Sequence, residues 1–306
     1  MSHDFSFSRI SIGDPVRVRE VTFFPLSGVP QAPISYTFID DALERGDAVV
    51  EEVSEAGTVP ELRLINFSES ILFVLDGTEL KGAKQNRVVN ASLLIPPKSS
   101  TRIPVSCVEE GRWRFTTRRF QKSDFYSPPK IRKRIALSQR ESMRSRRRYD
   151  ADQLGVWEDV REVAQKAKAR TATGALHDVF EGTQPTLREY EKSFSLRGTE
   201  QGGAFFVGDG FTGFDLFDRH GTYARAFPKF LRSVALEAVT SGLRATRPPE
   251  ALRSELEAVF REIEEALFEK YHIIGIGEDY RYEGKLSFGK GLYYEGHLIH
   301  FSAFSR

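Results

Sequence analysis

Short strand patterns crowd the first part of this 306-residue chain, and they limit the folds open to it more than any other feature. Between residues 13 and 115, short runs rich in Val, Ile and Leu alternate with Gly, Pro, Asn and Ser. Such segments are typical of antiparallel β structure. The clearest runs are VREVTFFPLSG, DAVVEEVS, PELRLIN, SILFVLD, RVVNASLLIP and RIPVSCVE. We therefore predict an antiparallel meander or sandwich in this region.

The pattern changes after the Ser-Pro-Pro-Lys break that begins at Ser127. A helix pattern covers 151–170, with Leu154 on its apolar face, and two short helical patterns follow in 174–194. An apolar hairpin, two long helix patterns and further strand patterns complete the chain. We predict an α+β fold: a β-rich amino-terminal half at 1–126, then a helical middle and C-terminal strands within 127–306 that pack back on the first sheet. The two parts are expected to form one continuous fold.

Charge is distributed unevenly along the chain, although the formal net charge is only +1. Residues 112–148 contain fourteen Lys or Arg against two acidic residues, a net charge of +12. Such a segment either docks an acidic partner protein or is a solvated basic surface. Nucleic acid is an unlikely partner, because few aromatic residues lie between these charges and the whole chain is near neutral.

The sequence excludes several classes of protein. A single cysteine rules out an intramolecular disulfide, and the polar start MSHDFSFSRI lacks the features of a signal peptide. No apolar run is long enough for a membrane span. We therefore expect a cytoplasmic location and no membrane contact. The sequence contains no phosphate loop or Rossmann fingerprint, and it identifies no cofactor.

The stretch ELKGAKQNR, residues 79–87, concentrates polar side chains between two apolar strand patterns. We expect residues 76–87 to form a long connection. An arginine fork suits phosphate, and a carboxylate can accept a ribose hydroxyl or act as a base, so this mixture suits a nucleotide. The alternative is that these groups pair with one another and fix the loop. The candidates are Glu79 as catalytic acid or base and, as ligand contacts, Lys84, Gln85, Asn86 and Arg87.

The segment IPVSCVEEGRWRF is a second concentration of polar groups. Strand alternation places Cys107 and Glu109 on one face, where the carboxylate needs a basic partner. We take Glu109 as a second candidate acid or base and Arg112 as a ligand contact. Trp113 either stacks on a ligand ring or forms an aromatic lid over the sheet. Cys107 is either a nucleophile or a small buried apolar residue.

A third polar group, GFDLFDRHG, precedes a predicted helix. Asp218 is suited to cap that helix. Asp215, Asp218 and His220 are also metal-ligand types, but their spacing matches no recognised site, and we predict no metal.

Several motifs together resemble one known family. They are VTFFPL, VPELRLIN, LDGTELKGAKQNRVVNASLLIP, IPVSCVEEGRWRF, TATGALHDVFE, QGGAFFVGDGFTGFDLFD and LIHFSAF. They are similar to the ARG and Rhodanese-Phosphatase-superfamily-associated Protein domain, a domain of unknown function. That name associates the family with ADP-ribosylglycohydrolases and phosphatase-type domains, which implies a link to ADP-ribose or NAD metabolism. The resemblance supplies no known catalytic residue.

The leading hypothesis is recognition or hydrolysis of an ADP-ribose-like nucleotide or an ADP-ribosylated substrate. We expect Glu79, Arg87, Glu109 and Arg112 to converge at one concave site, since their predicted strands are adjacent. The alternative is a non-enzymatic scaffold or interaction module that docks a protein through 112–148.

Overall fold

The computed structural model describes residues 5–306 and shows an α+β fold. Residues 1–4 of the polar start lie outside this range. The strands are β1 (Ser11–Ile12), β2 (Val16–Val18), β3 (Val21–Ser27), β4 (Tyr36–Phe38), β5 (Ala48–Glu52), β6 (Glu61–Asn66), β7 (Ile71–Val74), β8 (Thr78–Gly82), β9 (Arg87–Val89), β10 (Leu93–Ile95), β11 (Ser99–Cys107), β12 (Phe120–Tyr126), β13 (Gly202–Val207), β14 (Gly210–Phe217), β15 (Glu269–Tyr271), β16 (Glu278–Glu283), β17 (Ser287–Tyr294) and β18 (His297–Ser305). The helices are α1 (Ile39–Arg45), α2 (Pro129–Arg146), α3 (Gln153–Lys166), α4 (Leu176–Ser193), α5 (His220–Ser241) and α6 (Pro249–Glu265).

The chain divides into two compact units. The first unit contains the chain up to Pro33 together with Thr186–His272 and Gly277–Arg306, and the second contains Ile34–Pro185 with Ile273–Ile276. The predicted boundary at 126/127 lies inside the second unit, between β12 and α2. The chain returns from the second unit to the first within α4.

The first unit is built on a nine-stranded antiparallel sheet in the order β1-β3-β13-β14-β18-β17-β16-β15, with β2 also paired to β3. The C-terminal strands thus join the amino-terminal strand β3 in one sheet. Strand alternation turns Phe24 and Phe206 toward the apolar core that α6 completes. Phe23 and Phe205 face the other way, and Phe23 contacts Phe227 of α5, with ring centroids 5.5 Å apart. The two long helices therefore cover opposite faces of this sheet.

The second unit contains two smaller sheets. One has six antiparallel strands in the order β12-β8-β9-β11-β6-β5, and the other has three in the order β10-β7-β4. The apolar run RVVNASLLIP contributes to both, since β9 belongs to the larger sheet and β10 to the smaller. The pairing of β4 with β7 is parallel, whereas the neighbouring pairs are antiparallel. The β-rich amino-terminal half predicted from the sequence is confirmed.

Three features of the helices differ from the sequence patterns. Asp152 caps α3 by accepting a hydrogen bond from Gly155 N at 3.0 Å, but Leu154 is 69% exposed rather than packed. The two short helical patterns within 174–194 form one helix, α4, which continues through Pro185. Buried apolar side chains on both sides of this proline stabilise the helix against the cost of the missing N–H. Leu267, which continues the apolar spacing of α6 in the sequence, lies beyond the helix end and is exposed.

None of the helices within residues 5–306 has the combined length and apolar character that a bilayer crossing needs.

Gly203 should be indispensable to the first unit, because the space beside it is filled. A Cβ at this position would lie 2.3 Å from Phe23 Cε2 and 2.4 Å from the Tyr223 hydroxyl oxygen. We expect Gly203→Ala to lower the free energy of unfolding by about 1–3 kcal/mol, the usual cost of overpacking. Urea unfolding of the purified protein measures this change.

Gly221→Ala is the matched control. It adds the same methyl group in α5, where nothing lies within 4 Å of the new carbon. It should leave stability unchanged or raise it by up to about 1 kcal/mol. Equal stability of the two variants would contradict the packing described for Gly203.

Candidate functional site

The stretch 79–87 is a β-hairpin rather than the long connection predicted from the sequence. β8 occupies Thr78–Gly82 and pairs with both β9 and β12, which places it inside the six-stranded sheet. Only residues 83–86 form the turn. Asn86 Oδ1 accepts a hydrogen bond from Gly82 N at 3.0 Å, and Gly82 adopts a φ of 118°, which favours glycine. The prediction is wrong because the polar side chains of this stretch masked the strand pattern of β8. That strand is buried between β9 and β12.

The register of this hairpin sends Glu79 and Arg87 to opposite faces of the sheet. Glu79 is paired with Val88, and Arg87 is paired with Leu80 on one side and with Cys107 of β11 on the other. Directly paired residues share a face, and successive residues alternate. The expected convergence of all four charged residues therefore fails for Glu79.

Arg87 lies at the centre of a buried polar cluster. It has no exposed surface, and its Nη1 contacts Cys107 Sγ and donates to Gln85 Oε1 at 2.7 Å. Its Nη2 lies 3.8 Å from Glu52 Oε1. Among residues 5–306, no group accepts a hydrogen bond from Arg87 Nε or Nη2, and Glu52 Oε2 has no donor. Buried donors without acceptors are costly, so the cluster around Arg87 is not arranged for stability alone.

Cys107 has the properties of a buried core residue. Its backbone N–H and C=O bond with the amide group of Gln153, at 2.8 and 2.9 Å. Burial raises the pKa of its thiol to about 11, although the nearby Arg87 guanidinium acts in the opposite direction. The thiol is therefore protonated at neutral pH, which disfavours a nucleophilic role.

Glu109 and Arg112 form a buried ion pair that ties three segments together. Arg112 donates from Nε to Glu109 Oε1 at 2.7 Å and from Nη2 to Oε2 at 2.6 Å. Arg112 Nη1 donates to the Ala83 carbonyl at 2.6 Å, while Glu109 also accepts from Asn86 N and from the Thr173 hydroxyl. Burial alone would raise the pKa of Glu109, but these hydrogen bonds outweigh it and lower the pKa below its usual value. All three guanidinium nitrogens of Arg112 are thus engaged with protein acceptors.

Trp113 is the exposed part of this region. Its side chain is 47% exposed, and Lys84 Nζ lies 5.3 Å from the ring centroid while the Arg87 guanidinium lies 5.5 Å from it. Lys84 is held by the Ala56 carbonyl at 2.9 Å. The exposed residues Arg114 and Arg119 follow on the same loop. Arg119 also lines a surface groove of about 470 Å³ between residues 117–122 and 43–49.

His177 is a residue that sequence reasoning missed. Its Nδ1 lies 2.9 Å from Glu79 Oε2, which also accepts a hydrogen bond from Ser123. Its Nε2 lies 2.7 Å from Lys81 Nζ and 3.1 Å from Glu181 Oε1. Burial opposes the charge, yet the hydrogen bond and the charge of Glu79 raise the pKa of His177. Only its position in the motif TATGALHDVFE hinted at a role, since its partners are distant in sequence.

The segment 173–177 connects the two candidate catalytic carboxylates. Its backbone pairs with the end of β11: Gly111 N donates to the Thr173 carbonyl at 2.7 Å, and Leu176 N donates to the Val108 carbonyl at 2.9 Å. Thr173 then bonds Glu109, and His177 bonds Glu79. Both carboxylates are therefore fixed by the residues that lead into α4.

The third polar group lies in the first unit. Asp218 accepts hydrogen bonds from Arg219 Nε and Nη2 at 2.8 and 2.6 Å, and Arg219, the residue before α5, makes no side-chain capping hydrogen bond. Asp215 on β14 lies 3.0 Å from His300 Nε2 on β18. His220 Nδ1 contacts the Glu200 carbonyl at 2.7 Å.

Part of the basic segment 112–148 forms ion pairs within the second unit. Arg134 and Lys130 of α2 form ion pairs with Asp159 of α3, and Lys130 also contacts Glu162. These contacts join the two helices and neutralise part of the +12 charge.

Comparison with known proteins identifies one family. A family model described as ARG and Rhodanese-Phosphatase-superfamily-associated Protein domain matches residues 9–304. Searches of curated proteins and of solved structures give no match.

Arg112→Met should destabilise the protein strongly, because it leaves the buried Glu109 carboxylate without its cation. Breaking such a pair costs about 3–5 kcal/mol. The lost partner also lets burial raise the pKa of Glu109. The deficit should therefore be greatest at neutral pH and shrink as the pH falls and Glu109 becomes protonated. Urea unfolding at several pH values between 5 and 8 measures it.

Arg63→Met is the control for that measurement. Arg63 forms a similarly short but more exposed pair with Glu51, 2.6 Å from Nη2 to Oε1. Its loss should cost only about 0–1 kcal/mol. A cost for Arg112→Met no greater than this would show that the Glu109 pair does not organise the turn.

Cys107 should resist alkylation in the folded protein. With a pKa of about 11, about one thiol in a thousand is ionised at pH 8, and the sulfur is also buried. Iodoacetamide treatment followed by mass spectrometry should detect modification in urea but almost none under native conditions. Rapid modification of the folded protein would restore the nucleophile hypothesis.

Proposed function

The chain belongs to the ARG and Rhodanese-Phosphatase-superfamily-associated Protein domain family, and we propose on that basis that its second unit binds an ADP-ribose-like nucleotide or an ADP-ribosylated substrate. The observation that carries the proposal is the half-exposed Trp113 ring with Lys84 and Arg87 beside it. An exposed indole offers a stacking surface for adenine. The cations near it favour the diphosphate that such a nucleotide carries.

Two further arginines support the anion contact. Arg114 and Arg119 are exposed, and within the described chain neither side chain has a hydrogen-bond or ion-pair partner. By contrast, the exposed Arg118 is paired with Glu55 at 2.8 Å. Unpaired guanidinium groups on the Trp113 loop are free to form charge-assisted hydrogen bonds with phosphate oxygens.

Residues 84–87 lie beneath the Trp113 surface and support the proposed ligand contacts. Gln85 and Asn86 are buried and fix the turn through their contacts with Arg87, Gly82 and Arg112. Arg87 supplies positive charge and the two nitrogens, Nε and Nη2, that lack acceptors. We assign the direct contacts to Trp113, Arg114 and Arg119. Lys84 and Arg87 then strengthen the local positive potential.

The alternative function, docking of an acidic protein through the basic segment, has weaker support. The ion pairs of Arg134 and Lys130 with α3 give part of that segment a structural role.

The ligand proposal is tested with a single-tryptophan protein. The chain has two tryptophans, so Trp157→Phe leaves Trp113 as the only indole emitter. Titration with ADP-ribose, NAD and AMP should quench its fluorescence if a base stacks on the ring. In this background Arg114→Ala should weaken binding about ten- to a hundredfold, because a hydrogen bond to a charged group contributes roughly 1.5–3 kcal/mol. Arg87→Ala should weaken binding less, because the buried Arg87 acts on the ligand only through its charge.

Arg281→Ala is the matched control, since Arg281 is a buried arginine of the first unit paired with Asp279 at 2.9 Å. It should lower the melting temperature without changing nucleotide affinity. Absence of quenching by all three nucleotides at millimolar concentration would eliminate free nucleotides as ligands. If Arg87→Ala lowers only the melting temperature, Arg87 is a structural residue.

A further inference from the structure

We propose that His177 is a catalytic general base, positioned by Glu79, for hydrolysis of the ribosyl bond of an ADP-ribosylated substrate. This inference rests on the proposed function, because the substrate class is taken from it. The residue was not among the sequence candidates, and its role is argued from four features of its surroundings.

The first feature is the fixed orientation of the imidazole ring. Glu79 is only 1% exposed, and its Oε2 lies 2.9 Å from His177 Nδ1 while Ser123 donates to the same oxygen. Phe125 packs edge-on against the ring at 4.9 Å, and Phe180 stacks on Phe125 at 4.6 Å. A buried carboxylate on Nδ1 sets the tautomer that places the basic lone pair of the neutral ring on Nε2.

The second feature is that Nε2 has a partner in both protonation states. Lys81 Nζ, at 2.7 Å, can only donate, so it bonds the neutral ring. Glu181 Oε1, at 3.1 Å, accepts from the protonated ring. Both side chains are about half exposed, and they lie 3.9 Å apart. A group with this arrangement can take up a proton and pass it toward solvent.

The third feature is an unused polar atom. Glu79 Oε1 has no hydrogen-bond partner among residues 5–306, although its carboxylate is buried. A structural ion pair would be more stable with both oxygens satisfied. A carboxylate retained in this state is characteristic of a site in which function takes precedence over stability.

The fourth feature, the local charge, selects the substrate class. Glu79 and Glu181 contact the imidazole and Asp178 interacts with it electrostatically, whereas Lys81 is the only cation in contact with the ring among residues 5–306. Burial and the nearby Glu109 raise the pKa of Asp178. A negative field stabilises the positive charge that develops on a ribosyl group during cleavage, and it disfavours attack on an anionic phosphate.

The reaction step balances without another reactant. Water gives a proton to His177 Nε2 while its oxygen forms a bond to the anomeric carbon of the ribose. The bond from that carbon to the modified side chain breaks, and the leaving atom keeps the electron pair. The proton on Nε2 then passes to the leaving group, directly or through Glu181. The products are ADP-ribose and the unmodified side chain.

The Trp113 loop and His177 are connected through residues 173–177. Trp113 follows Arg112, which bonds Glu109, and Glu109 bonds Thr173. Thr173 and His177 are four residues apart, so their Cα atoms are separated by at most about 14 Å. These contacts connect the Trp113 loop to the segment that carries the imidazole.

The test measures release of ADP-ribose from a mono-ADP-ribosylated peptide. His177→Gln should lower kcat about a hundred- to ten-thousandfold with little change in KM. His220→Gln, a histidine change in the first unit, is the control and should keep the wild-type rate. If His177→Gln retains the wild-type kcat, or if His220→Gln loses it equally, the base assignment is overturned.

The positioning role of Glu79 is tested by pH dependence. The rate should rise with pH as His177 loses its proton, and because its pKa is raised, the midpoint should lie above the ordinary value for histidine. Glu79→Gln should move the midpoint to lower pH, because the carboxylate that favours the imidazolium is gone. Lys81→Met, at a half-exposed position that spares the fold, should move it upward. If neither substitution shifts the midpoint of the pH profile, the proposed positioning of His177 by Glu79 is contradicted.

The binding titration and the release assay together distinguish failure of this inference from failure of the proposed function. If the protein binds ADP-ribose by the fluorescence of Trp113 but releases none from the peptide, the base assignment fails and the binding function stands. If it neither binds nor releases ADP-ribose, both fail.

Discussion

The buried ion pair between Glu109 and Arg112 is the interaction on which the polar part of the second unit depends. Two charges removed from water are stabilising only when their geometry is good and their remaining hydrogen-bonding groups are satisfied. Here the contact is bidentate, and backbone groups of 83–86 and the Thr173 hydroxyl complete it. The pair thereby fixes the turn before Arg87 and the segment before α4 at the same time.

The hairpin held by this pair has two chemically different faces. On one face, Arg87 lies with Cys107 and Glu52, and the exposed Trp113 ring covers the guanidinium. On the other, Glu79 bonds His177. The proposed function assigns nucleotide binding to the first face, and the further inference assigns proton transfer to the second. The short segment 173–177 links the two through one backbone.

Several parts of the molecule could be predicted from local sequence because local chemistry decides them. Gly46 ends α1 in a left-handed conformation that glycine adopts easily, and Asp152 caps α3. The apolar stripe of α6 and the Asp-Gly turn between β13 and β14 can also be predicted from the local sequence. The failures were positions where burial overrode local signals: β8 carries polar residues inside a sheet, and α4 continues through Pro185.

The sequence by itself determined the α+β class, the family and the residue types available for chemistry, since composition, periodicity and motif order are local properties. Only the tertiary structure decided which of those residues meet. A register shifted by one residue would place Glu79 and Arg87 on the same face, and no neighbouring residue in the sequence encodes that choice. His177 reaches Glu79 across 98 positions of the chain. Its role depends on the folding of residues 173–177 against β11, which buries the carboxylate and aligns the imidazole through contacts that exist only in the folded protein.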